Sequence, residues 1–83
     1  MSEYADIKAK KFRRVLSTLL KISDINLRET GSHTCVKCIR TGETYPIPTS
    51  HRSVNRFIVK GFKDWLVRKK ICSAAEFNNL LKR

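Results

Sequence analysis

From Lys8 to Ile22 the apolar residues Phe12, Val15, Leu16, Leu19 and Leu20 recur at i, i+3, i+4, i+7 and i+8. That spacing predicts a helix with one buried stripe. Ser23-Asp24 interrupts the pattern, and Ile25-Asn26-Leu27-Arg28 then alternates apolar and polar, as a half-buried strand does. A second strand is expected from about Ser32 to Arg40, rich in Thr, Cys, Val and Ile. Thr41-Gly42 fits a two-residue hairpin turn, and Glu43 to Ile47 a third strand. Pro46 and Pro48 cannot donate to a ladder, so the third strand belongs at an edge.

The polar run Thr49 to Ser53 reads as a loop, after which Val54, Ile58, Phe62, Trp65 and Leu66 share one helical face, with Phe57 and Gly61 beside it. Two starts are open for this helix. Ser53 is a good N-cap, whereas Gly61 in mid-helix costs about 1 kcal/mol relative to Ala and favours a start near Lys60. Ser73-Ala74-Ala75-Glu76 is a capping box opening a last helix that buries Phe77, Leu80 and Leu81. The order α-β-β-β-α-α predicts a small α+β sandwich, a three-stranded antiparallel sheet with helices on one face.

Eighty-three residues leave room for one small domain spanning 1–83, with residues 1–7 expected as a flexible lead. Charge narrows the partner. Eighteen Lys and Arg against seven Asp and Glu give a formal charge of +11, a self-repelling balance that points to a polyanion, with nucleic acid first. A membrane surface is disfavoured, since no lipidation motif or concentrated amphipathic anchor is visible. Met1 to Asp6 carries acids and no apolar run, so neither a secretory signal nor a membrane span is read there and a cytoplasmic protein is expected. Three cysteines without such a signal are expected to be reduced thiols.

Cys35-Val36-Lys37-Cys38 has the gap of a zinc half-site, with His33, His51 and Cys72 as conceivable further ligands. Residues three apart on a strand face opposite ways, so small apolar packing is the better account of these thiols, and no metal or other cofactor is expected. The aromatics Phe57, Phe62, Trp65 and Phe77 sit at helical spacing and read as core. Only Tyr45 is left for a stacking platform on the sheet, which disfavours RRM-like and OB-like readers.

The chemistry-bearing stretch is Arg28-Glu29-Thr30-Gly31-Ser32-His33, where a Gly-Ser pair turns the chain and sets a hydroxyl and an amide beside an imidazole. Taken alone, it also fits a plain surface histidine at a strand start. Arg28-x-x-Gly31-Ser32-His33, followed by a strand hairpin, Ile47-Pro48 with His51 soon after, Gly61 and Trp65-Leu66, resembles the HicA family of toxin ribonucleases. The resemblance runs over roughly residues 9 to 82. The chain departs from the family pattern at Ser23-Asp24, at Val36 and by one residue added between Pro48 and His51. The resemblance implies a fold like a double-stranded-RNA-binding domain, metal-independent cleavage of mRNA with His33 as the catalytic residue, and inhibition by a cognate HicB-type antitoxin.

Elementary chemistry is compatible with that role. RNA carries its own nucleophile in the 2′-hydroxyl, so cleavage needs only proton transfers and cations around the phosphorane. Imidazole, with an ordinary pKa of about 6.5, suits the transfers. His33 is then the catalytic candidate and His51 a candidate second proton donor. Arg28 and Lys37 are candidates for the scissile phosphate, with Ser32, Lys10, Lys11, Arg13 and Arg14 as further RNA-binding residues. RNA binding without cleavage is the alternative reading.

Overall fold

The computed structural model describes residues 4–82. Phe12, Val15, Leu16 and Leu19 are buried as their spacing requires, in helix α1 (Ala9–Ile22), while Leu20 at the stripe's margin is exposed. Helix α1 lacks a side-chain cap; its first amide, on Ala9, donates instead to the Arg52 carbonyl at 2.8 Å. That bond continues a short antiparallel pairing between strands β1 (Ile7–Lys8) and β5 (Ser53–Val54), neither of which the sequence pattern predicts. Part of the lead expected to be flexible is therefore held. Tyr4 donates to Asn78 at 2.7 Å and the Arg56 amide donates to Asp6 at 2.9 Å, whereas residues 1–3 lie outside the described residues.

Strands β2 (Ile25–Glu29), β3 (His33–Cys38) and β4 (Thr44–Pro48) form the predicted three-stranded antiparallel sheet in the order β2-β3-β4. The Pro-bearing strand is at the edge. Between β3 and β4 the turn is longer than Thr41-Gly42: Cys38 donates to the Glu43 carbonyl at 2.8 Å and accepts from the Gly42 amide at 2.7 Å, closing a loop over Ile39 to Gly42. Gly42 takes φ +76°, the left-handed conformation that glycine adopts without steric cost. Alternation along the strands sends Ile25, Leu27, Thr34, Val36, Cys38, Tyr45 and Ile47 to one face, and all three helices pack on that side.

Helix α2 (Arg56–Arg68) starts at neither expected position. Asn55 is its N-cap, accepting from the Phe57 amide at 2.8 Å, because Val54 is already committed to β5. Gly61 lies inside the helix after all, where a Cβ would stand 2.5 Å from the Tyr45 hydroxyl. Phe62 is the hub of the core, with ring centroids 5.7 Å from Phe12, 5.5 Å from Tyr45 and 5.9 Å from Phe77. It joins the three helices to β4. Phe57, grouped with the core aromatics by its spacing, instead faces outward, 70% exposed.

Helix α2 ends in a Schellman motif, with Lys70 at φ +57° and the Ile71 amide donating back to the Leu66 carbonyl at 2.9 Å. Helix α3 (Ala74–Lys82) opens with the predicted capping box: the Ser73 amide donates to Glu76 at 3.2 Å and the Glu76 amide to Ser73 Oγ at 3.1 Å. Phe77 and Leu80 are buried and Leu81 partly so. Among the described residues no helix is long and apolar enough to cross a membrane.

Candidate active site on the open face of the sheet

Helices cover one side of the sheet and leave the other to solvent. The strand register puts Asn26 and Arg28 of β2, His33, Cys35 and Lys37 of β3, and Thr44, Pro46 and Pro48 of β4 on that open side. None of these side chains is acidic. Glu29, the acid of the β2–β3 hairpin, alternates to the helix side and lines a recess with Arg13, Leu16, Ser17, Leu27 and Thr34.

Arg28 pairs with Cys35, so it is diagonal both to His33 and to Lys37, at the usual separation for such neighbours of about 7–8 Å. Three sequence candidates thus share one exposed surface. Both cations can reach towards a phosphate placed over Cys35, while a group at the hairpin end meets the imidazole.

The hairpin end is built by backbone and hydroxyl bonds. The Thr30 amide donates to the His33 carbonyl at 2.8 Å and the Thr30 hydroxyl to the same oxygen at 3.1 Å, fixing Gly31 and Ser32 as the turn. The Thr49 amide donates to the Ser32 carbonyl at 3.3 Å, and the hydroxyls of Thr49 and Thr34 meet at 3.0 Å in the interior. This pins the loop after β4 to the turn. Thr30, Thr34 and Thr49 escape sequence reasoning; the one available sign is a Thr at an inward strand position, where a buried hydroxyl needs a partner.

His33 is exposed, and its Nδ1 lies 2.7 Å from Ser32 Oγ. This contact leaves Nε2 as the nitrogen facing solvent. In the tautomer with Nδ1–H donating to Ser32, Nε2 carries a lone pair and can accept a proton; in the other, Nε2 carries the proton. His51 is exposed in the loop beyond Pro48, the residue paired with His33, so both imidazoles belong to the same end of the sheet.

The helix cations divide. Arg13 reaches the hairpin end, its Nη2 donating to the Thr49 carbonyl at 3.3 Å. Lys11 and Arg14 line a recess with Val15, Thr18 and Leu80, between α1 and α3, and Lys10 is exposed on the same helical layer. Lys11 and Arg14 thus lie on the α3 side of α1, away from the hairpin end that Arg13 reaches.

Cys35 and Cys38 sit on opposite faces of the sheet. Cys35 is part-exposed beside His33, and Cys38 is fully buried. Hydrogen bonding from the Thr41 hydroxyl holds the Cys38 thiol below its ordinary range, outweighing the opposing effect of burial. One ion cannot draw on both thiols without breaking the sheet's alternation. Tyr45 also faces the helices rather than the open surface, between Phe62 and Trp65, and burial raises its phenol above the ordinary value. Among the described residues the open face of the sheet carries no aromatic platform.

No protein-family model matches the chain, and no curated protein or solved structure matches it.

Proposed function

We propose that the chain is a metal-independent endoribonuclease, an mRNA interferase of the HicA type acting in the cytoplasm as the toxin of a toxin–antitoxin pair, with a HicB-type antitoxin as its inhibitor. The observation that carries this reading is the exposed His33 imidazole, engaged at Nδ1 by Ser32 and flanked on a carboxylate-free sheet face by Arg28 and Lys37. With Nδ1–H given to Ser32, Nε2 of His33 takes the proton of a 2′-hydroxyl as its oxygen attacks phosphorus. The P–O5′ bond breaks, a 2′,3′-cyclic phosphate forms, and the leaving 5′-oxygen takes up a proton, for which His51 is the candidate donor. Arg28 and Lys37 meet the charge that builds on the non-bridging oxygens. In the reverse assignment a protonated His33 serves the leaving oxygen.

One observation favours a second reading, RNA binding without cleavage. Lys11 and Arg14 lie on the α3 side of the helical layer, away from His33, and a binder needs no convergence on an imidazole.

The test is incubation of the protein with mRNA in excess EDTA. Cleavage leaving 2′,3′-cyclic phosphate ends supports the proposal; loss of cleavage in EDTA, or products lacking those ends, overturns it.

A further inference from the structure

Phe57 is an outward-facing aromatic ring on a basic molecule, and neither the core nor the proposed reaction uses it. Its place can be read from three contacts. Lys69, just beyond the end of α2, forms an ion pair with Glu43 just before β4. Tyr45, one residue into β4, packs on Phe62 and Trp65 with centroids at 5.5 and 5.7 Å. Helix α2 therefore runs antiparallel to β4, and its first turn lies towards Pro48, the partner of His33. Phe57 belongs to that turn. It stands one helical turn before Gly61, on the same side of the helix, and Gly61 lies against the Tyr45 hydroxyl. Phe57 thus lies on the side of α2 that borders the β4 edge, at the same end of the sheet as His33 but on the helix side, across the edge from the open face that carries the imidazole.

Its surroundings are cationic. Lys60 is its i+3 neighbour and Arg52 precedes the helix, both exposed, while the two nearby acids are paired, Asp6 with Arg56 at 3.3 Å and Asp64 with Lys63 at 2.7 Å. A phenyl ring 70% exposed gains little in the isolated chain, whereas against a nucleobase it stacks, and every base offers a π-face.

We infer that Phe57 is a stacking residue for an unpaired RNA base of the strand that continues round the β4 edge from the nucleotide presented to His33, with Lys60 and Arg52 holding the adjoining phosphates. This rests on the ribonuclease reading above and adds a preference for single-stranded RNA at the cleavage site. An interface with another protein is the competing use of such a ring, but the neighbouring cations and a place at the same end of the sheet as His33 favour the nucleotide.

The experiment is binding of a short single-stranded RNA with 2′-O-methyl sugars, which cannot be cleaved, to the full chain at fixed salt. Phe57→Ala is expected to weaken binding by about 5- to 100-fold, the loss produced by removing one base–aromatic stack. Phe57→Trp is expected to keep the affinity and to show an indole emission quenched by RNA, a signal that Trp65, buried in the core, does not supply. Phe57→Leu should behave like Phe57→Ala, and all three should melt like the wild type because the position is exposed. Equal affinity of Phe57→Ala and wild type, or full affinity in Phe57→Leu, overturns the stacking role while the ribonuclease reading stands. A Phe57→Ala variant that loses self-association at unchanged RNA affinity overturns it in favour of a protein interface. Absence of any salt-sensitive RNA binding by the wild type overturns both readings.

Discussion

The hydroxyl oxygen of Ser32 lies 2.7 Å from Nδ1 of His33, so neighbouring residues at a hairpin turn select which imidazole nitrogen meets solvent. The bond is exposed, so in the fold water replaces it at little cost, whereas the orientation it gives the imidazole is lost, an effect on the scale of one hydrogen bond, about 0.5–1.5 kcal/mol. Ser32→Ala should therefore slow RNA cleavage by about 2- to 10-fold with no change in melting, and Ser32→Thr should recover most of the loss. A rate unchanged in Ser32→Ala, measured under single-turnover conditions, removes the positioning role of Ser32.

Gly61 and Tyr45 make a prediction that changes sign with background. In a helix interior Ala is better than Gly by about 1 kcal/mol, but here the new Cβ would meet the Tyr45 hydroxyl at 2.5 Å, and overpacking costs about 1–3 kcal/mol. Gly61→Ala should destabilise the wild type and be neutral or stabilising in a Tyr45→Phe background. Urea denaturation of the four proteins checks it; the same Gly61→Ala effect in both backgrounds shows that the hydroxyl is not the obstacle.

That pair also shows where the sequence stops being legible. The stripe of α1 and the capping box of α3 are local patterns whose burial follows from spacing, and both could be read directly. The α2 start could not, because Gly61 reads as a helix breaker until a strand residue sixteen positions earlier is seen to fill the space over it. Asn55 is the cap only because Val54 pairs with Ile7, a contact between distant segments two residues long. For the candidate site, strand alternation and the hairpin register bring Arg28, His33 and Lys37 onto one surface, which the sequence allows one to expect. The separation of Lys11 and Arg14 from that surface depends on which side of the sheet α1 covers and on where α3 packs against it. Local periodicity carries no such information.

Burial with Glu76 nearby pushes the Cys72 thiol up to about 11. An acid whose folded pKa lies above its unfolded value keeps its proton longer in the native state. The native state then binds more protons between about pH 9 and pH 11, and stability falls as pH rises through that window. The stability difference between wild type and Cys72→Ala should be constant below pH 8 and shrink between about pH 9 and 11, as measured by urea denaturation. A difference that stays constant to pH 11 contradicts the shift.

In the proposed reaction the imidazole of His33 moves a proton while the cations around it bind the RNA. The most direct test of this division compares wild type and His33→Ala on one mRNA, with cleavage rate and RNA affinity measured side by side. The expected result is a rate lowered by at least about 100-fold, the usual scale for losing a general acid or base, at an affinity within a few-fold of wild type. Cleavage by His33→Ala at the wild-type rate would contradict it.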